Sequence, residues 1–306
     1  MATLVPWTFT PFPPLPPTLL PNTLFYNATS PASPNLTYQI SLSYPFEWGP
    51  PSLPTTSIAN KTALTIYVTD GNALARTAAE HLKRRKPVDS SQPDALTVGI
   101  GYALTDNVYA LTQRNIDFGA GVDAFIEFIE SSLRPWVKHT IFPGVNFSRD
   151  AVYGHSSGGV FVTYSLITRP DLFDTFIASS PSLTLRNGSM LYNVTSQLGD
   201  GMGIPGELPE VVGGVNTTLK KPAVFVGYGG LEKYPLRRRT QTEEQFQQRR
   251  QLAQRFDPET GSHELYDRLV GSGRMRDVVL KEYAGMDHAG VGGAALLDGI
   301  AYFLDW

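Results

Sequence analysis

The sequence predicts an α/β fold: a mostly parallel central sheet with helices on both faces. Three observations lead there. Short apolar, β-branched runs recur along the chain with helix-like stretches between them. Strands alternating with helices form a parallel sheet whose two faces both need cover. One such alternation is joined by a glycine-flanked turn, Gly154-His155-Ser156-Ser157-Gly158, too tight for large neighbours. The length, 306 residues, suits one such domain with insertions.

In chain order, Met1 to Pro21 is rich in proline and threonine and reads as an extended arm over the body. Tyr38 to Tyr44 alternates apolar and polar residues, the period of a strand. Leu64 to Thr69 and Leu96 to Tyr102 are apolar and β-branched, as buried strands are. Val122 to Val137 carries Val122, Phe125, Ile126, Ile129, Leu133 and Trp136 on one helical face, which should pack on the sheet. Ala151 to Tyr153 is a strand leading into the tight turn, and Val160 to Ile167 is a helix leading out of it. Thr175 to Ser179, Ala223 to Tyr228 and Val278 to Tyr283 complete the strands. Between them, Asn187 to Thr218 is rich in Gly, Pro and Asn and reads as a surface insertion. Glu243 to Phe256 reads as a charged, Gln-rich and mostly solvated helix. With no internal repeat and no dividing linker, we expect an arm over 1–21 and one domain over 22–306.

Composition narrows the function. Apolar residues make up 42% and charged residues 17%, the balance of a folded globular chain. A net charge of −3 with no basic stripe argues against nucleic acid as a partner. No apolar run is long enough to span a bilayer. The absence of cysteine removes disulfides, thiolate metal sites and a cysteine nucleophile together. The first 21 residues lack the basic start and apolar core of a secretory leader, so a cytoplasmic location is expected. Seven Asn-x-Ser/Thr sequons, at Asn27, Asn35, Asn60, Asn146, Asn187, Asn193 and Asn216, keep a glycosylated, secreted protein as the alternative.

The tight turn carries the chemistry. Its pattern, G-x-S-x-G between strand and helix, is that of a nucleophile elbow, which exposes a serine oxygen at the end of the sheet in an α/β-hydrolase fold. Ser156 is then the nucleophile, and its hydroxyl needs a base. Of the five histidines, His155 lies inside the elbow and should point away from the serine. His81 and His139 precede the elbow near helix ends and read as surface residues, and His263 lies in a polar stretch with no strand before it. His288 follows the last strand, where this fold delivers its base. An acid should orient that imidazole. Glu232 follows the strand Ala223 to Tyr228 and is the candidate; Asp277 sits at the wrong end of a strand, and Asp287 adjoins the histidine. A different acid, or none, stays open. The oxyanion donors should be the backbone N–H of Ser157 and one from the loop Val68-Thr69-Asp70-Gly71-Asn72, with Asn72 as candidate and Asp70 as a brace.

These residues, with several other blocks, make the chain resemble the esterase D-like branch of α/β hydrolases, and within it the trilactone siderophore esterases. Tyr38 to Pro45 resembles the first strand, and Tyr67 to Asn72 the Tyr-x-x-Asp-Gly-Asn loop. Gly99-Ile100-Gly101-Tyr102 followed by Arg114-Asn115-Ile116-Asp117 is similar to its G-I-G-Y and R-x-x-D pair. Phe125 to Pro135, Ser179-Ser180-Pro181-Ser182, and Gly229 to Glu232 with Arg237-Arg238-Arg239 also match, so the likeness runs from about Leu24 to the C-terminus. Two departures fall near the expected substrate: Phe118 replaces a proline, and Leu183-Thr184-Leu185 replaces an aromatic pair.

The resemblance implies a serine ester hydrolase acting through an acyl-enzyme on a bulky small-molecule ester such as a ferric siderophore. No metal or organic cofactor is implied; iron would arrive with the substrate. Some members of the branch work with a Ser–His dyad. Arg114, Arg237, Arg238 and Arg239 are candidates for binding an anionic substrate, since guanidinium groups grip carboxylates in a fixed fork. The bland alternative pairs Arg114 with Asp117 and leaves the triple arginine in water. Two other functions remain open at this point: acyl transfer to a second alcohol, as in the similar mycolyltransferases, and ligand binding on an inactive hydrolase fold.

Overall fold

A computed structural model describes residues 22–30, 36–49, 60–102, 109–183 and 221–305. The expected arm over 1–21 and the expected insertion over 187–218 lie outside these residues, as do the sequons at Asn35, Asn187, Asn193 and Asn216. The strands form one eight-stranded sheet in the order β1-β2-β4-β3-β5-β6-β7-β8. They are β1 Thr23–Thr29, β2 Thr37–Ser43, β3 Lys61–Thr69, β4 Asp94–Tyr102, β5 Val145–His155, β6 Thr175–Ser179, β7 Ala223–Gly229 and β8 Asp277–Tyr283. Strand β2 is antiparallel to both β1 and β4, and every pairing from β4 onward is parallel. This is the mostly parallel sheet of the α/β-hydrolase fold.

Every strand read from the sequence is present. The one not anticipated is β1. Its inward residues Leu24, Tyr26 and Ala28 pack on the core, while Phe25 is 52% exposed on the outer face. An apolar residue on the solvent side blurs the two-residue alternation that identifies a strand.

Seven α-helices accompany the sheet among the described residues: α1 Gly71–Val88, α2 Leu111–Asp117, α3 Val122–Glu127, α4 Ser157–Thr168, α5 Glu243–Phe256, α6 Pro258–Ser272 and α7 His288–Leu304. The helix expected over Val122 to Val137 does not stop there. After α3 it continues to Ile141 through wider π turns at Phe128–Leu133 and Trp136–Ile141. Pro135 lies between them, and its missing N–H is the kind of defect that a widened turn absorbs. His81 lies within α1 rather than near its end.

Alternation along the strands divides the core in two. Val152, Phe176 and Val224 face one layer, under Phe125, Ile129, Phe161 and Leu166. Ala151, Tyr153, Ile177 and Phe225 face the other, under Ala75 and Ala78 of α1 and Val291, Ala295 and Leu296 of α7. Odd-numbered residues of β5 therefore look toward α7 and even-numbered ones toward α4, an assignment that matters at the active site. Helix α5 buries no residue, as its composition suggested. Among the described residues no helix is long and apolar enough to cross a membrane. The described sequon asparagines Asn27, Asn60 and Asn146 are all exposed.

The β5–α4 corner is the tightest point of the fold. A Cβ on Gly154 would collide with the backbone carbonyl of Gly158. Gly154→Ala is thus expected to destabilise the chain by about 2 kcal/mol or more, because backbone cannot yield as a side-chain tip can. Urea unfolding would measure this; an unchanged midpoint would contradict the close approach.

Candidate active site

Ser156 stands between β5 and α4 with φ 59° and ψ −117°, a left-handed conformation rare for a side chain larger than hydrogen. Strain of this kind persists only where the surroundings over-determine it. Here the Ser156 N–H donates to the Ser179 carbonyl at 2.9 Å, and its own carbonyl accepts from Val160 N at 3.1 Å. Ser157 begins α4, so its N–H belongs to the unpaired first turn of the helix, beside Ser156.

His288 is the first residue of α7, and Asp287 caps that helix by accepting from Gly290 N at 3.2 Å. Glu232 arrives from the loop after β7. That loop is laced to the loop after β8: Gly230 N donates to the Tyr283 carbonyl at 3.0 Å and Leu231 N to the Met286 carbonyl at 3.0 Å. Glycine is needed where they cross, since a Cβ on Gly229 would stand 2.5 Å from the Met286 carbonyl oxygen. The lacing sets Glu232 Oε1 against His288 Nδ1 in a short contact. The other oxygen, Oε2, accepts from Ser180 Oγ at 2.7 Å and from Gly229 N at 2.6 Å. The carboxylate is buried and fully engaged, whereas the His288 side chain is 46% exposed toward a cleft. The rival acids go elsewhere: Asp277 accepts from the Tyr302 hydroxyl, and Asp287 turns to its helix cap and to Arg238.

Ser156, Glu232 and His288 line one cleft of about 490 Å³. Much of its wall is apolar, from Leu111, Leu231, Leu252 and Phe256. Sequence reasoning missed that α5 supplies this wall. Arg249, Leu252, Ala253 and Phe256 fall on one helical face at a spacing of three or four, a signal obscured by the charged residues around them. Ser180, which braces the acid, was also missed; it sits in the S-S-P-S segment at φ 43°, another strained position.

The arginines separate into different roles. Arg114 is buried: its Nε donates to Asp70 Oδ1 at 2.7 Å and its Nη2 to the His155 carbonyl at 3.1 Å. It borders the cleft, yet its partner is Asp70 and not Asp117, which instead accepts from Tyr102 and Gln113. One guanidinium thus ties the Asp70 loop to the elbow. Burial raises the Asp70 carboxyl above the usual carboxylate range, and the Arg114 guanidinium opposes that rise. Arg237 bonds the Gln241 carbonyl and Glu243 on an exposed surface, and Arg239 is exposed. Of the triple run only Arg238 borders the cleft, with its Nη2 on Asp287 at 2.9 Å.

The Asn72 side chain is committed to β4 and β2: it accepts from Tyr102 N at 2.7 Å and donates to the Tyr102 carbonyl and to Gln39. Asn72 does not line the Ser156 cleft; it borders a separate groove beside β2. Thr69 and Asp70 are the loop residues that reach the elbow, with Thr69 Oγ1 2.8 Å and Asp70 Oδ2 3.5 Å from where a Cβ on Gly158 would stand. His155 does not point into solvent: its ring lies 4.5 Å from that of His288, centroid to centroid. Phe118 packs among Phe125, Phe161 and Arg114. Leu183 is buried, and 184–185 lie outside the described residues. His263 bonds the Tyr228 hydroxyl at 3.0 Å.

Removing one partner of the buried Arg114–Asp70 pair leaves the other charge stranded. Arg114→Gln should cost about 3–5 kcal/mol in urea unfolding, and adding Asp70→Asn should recover part of that loss. Strict additivity of the two changes would show that the pair is not coupled.

Comparison with known proteins gives the family. The family model described as "Putative esterase" matches residues 51–257. A siderophore enterobactin esterase of Emericella nidulans is 32% identical over 286 residues, covering 87% of this chain and 88% of that protein. A siderophore triacetylfusarinine C esterase of Aspergillus fumigatus is 30% identical over 285 residues, covering 88% and 89%. The solved structure of the siderophore hydrolase EstA from Aspergillus nidulans superposes with a TM-score of 0.82 at 30% identity, covering 98% of this chain and 99% of that one. With the family model matched over more than half its length and relatives aligned nearly end to end, the chain belongs to the esterase family, in the branch of the siderophore esterases.

Proposed function

We propose that this esterase cleaves the ester bonds of a siderophore through Ser156, His288 and Glu232. The observation that carries the reading is the Glu232–His288 pair, delivered by two laced loops to the cleft that holds the strained serine. The two fungal relatives, esterases of enterobactin and of triacetylfusarinine C, supply the substrate class.

In this scheme His288 Nε2 accepts the Ser156 hydroxyl proton as Oγ bonds to the ester carbonyl carbon. Glu232 holds Nδ1–H, so the tautomer with a free Nε2 is the one present, and its charge stabilises the imidazolium that forms. The developing oxyanion takes the Ser157 N–H, at the positive end of α4, and a second N–H from the 70–72 loop. As the tetrahedral intermediate collapses, His288 passes its proton to the departing alkoxide. Water, deprotonated by the same imidazole, then releases the acid and restores Ser156. Iron enters only as part of the substrate.

The apolar wall from α5 suits a bulky substrate, and Arg238 is the member of the arginine run placed to meet an anionic group. Arg114 acts at the loop, through Asp70, rather than as an open fork.

Ser156→Ala and His288→Ala are each expected to lower kcat by at least about 10⁴-fold with the fold intact, and Glu232→Gln by less, since it orients rather than moves the proton. Hydrolysis of ferric triacetylfusarinine C and ferric enterobactin, followed by mass spectrometry beside a nitrophenyl ester, tests both roles and substrate class. Full activity in Glu232→Gln would remove the acid from the scheme. Cleavage of the aryl ester without either siderophore would remove the substrate class. Arg238→Gln should raise KM about 5-fold for an anionic ferric siderophore and leave a neutral aryl ester unchanged, while Arg237→Gln and Arg239→Gln alter neither. An equal rise on the neutral ester would assign Arg238 to structure alone.

A further inference from the structure

A second imidazole lies against His288, and the chemistry above does not use it. His155 ends β5 on the same strand face as Tyr153, the face on which α7 packs. It is buried, at 7% exposure. Its ring is tilted 40° to that of His288, with centroids 4.5 Å apart. Nδ1 sits 3.1 Å from Ser179 Oγ, and its backbone carbonyl accepts from Arg114 at 3.1 Å, so both side chain and backbone are held. Helix α7 is shaped around this ring. A Cβ on Gly292 would stand 3.2 Å from it, and the Gly292 carbonyl accepts from the Tyr153 hydroxyl at 2.5 Å.

The geometry points to His155 as a positioning residue: a buried aromatic platform that holds the His288 ring over Ser156. The Glu232 contact fixes one edge of the His288 ring at Nδ1 but leaves its faces unconstrained. His155 closes one of them, so the half-exposed base cannot swing inward from the serine. This inference rests on the assignment of His288 as base.

The platform is also uncharged. Burial pulls the His155 imidazole down to about 3, the His288 and Arg114 charges add to that, and hydrogen bonds with the backbone of Ser179 and His288 oppose it. A group neutral above that range does not repel the imidazolium that forms beside it during acylation.

The test compares His155→Ala and His155→Phe with the unmodified chain, by nitrophenyl ester kinetics and by the rate at which a fluorophosphonate labels Ser156. Loss of the platform in His155→Ala is expected to lower kcat by roughly 10–100-fold, with KM within about twofold and labelling slowed in parallel, the scale of a misplaced catalytic group. His155→Phe restores a flat ring and should recover kcat to within about fivefold of the parent. Parent-like kcat in a folded His155→Ala, or a folded His155→Phe no faster than His155→Ala, overturns the inference. Should His155→Ala not fold, Gly292→Ala decides, since its added Cβ presses on the ring: lowered kcat at constant KM supports the platform, and unchanged kcat overturns it. An overturning result in a chain whose parent labels at Ser156 leaves the serine chemistry standing. Failure of the parent to label overturns both.

Discussion

The candidate active site depends on one strained peptide. Ser156 holds a backbone conformation that costs of the order of 1–3 kcal/mol, and the fold over-determines it from every side. Gly154 and Gly158 remove the atoms that would collide, Ser179 takes the N–H, and α4 begins at the next residue. The same turn that exposes the hydroxyl therefore also aims the first N–H groups of α4 toward it. A relaxed turn would separate these two consequences, and the serine would be an ordinary loop residue.

Around that point the fold uses neighbouring residues of the β6 end as braces. Ser179 accepts the elbow N–H through its backbone and meets His155 through its side chain, while Ser180 donates to the proposed acid. Arg114 works the same way on the opposite side, joining the Asp70 loop to the His155 carbonyl. These contacts place groups that act through others, and each is buried enough that losing a partner would strand a polar atom. The open part of the site is the cleft wall of α5, a helix with no buried residue, which is where variation in substrate shape meets the least resistance from the core.

Much of this was readable from residue order. The elbow announces itself because glycine on both sides of a serine, between an apolar strand and a helix, answers a steric demand that is local. His288 and Glu232 were nominated by their places after the last two strands, and the structure brings the two together at one cleft, since parallel strands must deliver their following loops to one edge. Helix α5 was read correctly as mostly solvated, but its polar composition concealed the short face, Arg249 to Phe256, that looks into the cleft.

What residue order determined by itself, then, was every strand but β1, the elbow, and which serine, histidine and carboxylate were the candidates at the strand ends, because each follows from periodicity or from sterics within a few residues. Only the tertiary structure decided the partners. That Arg114 meets Asp70 and not Asp117, that Asn72 turns to β4, that one arginine of three reaches the cleft, and that His155 lies under His288 all depend on which strand lies beside which. Those contacts join residues far apart in the chain, and no local spacing encodes a distance that chain folding alone brings down to a few ångströms.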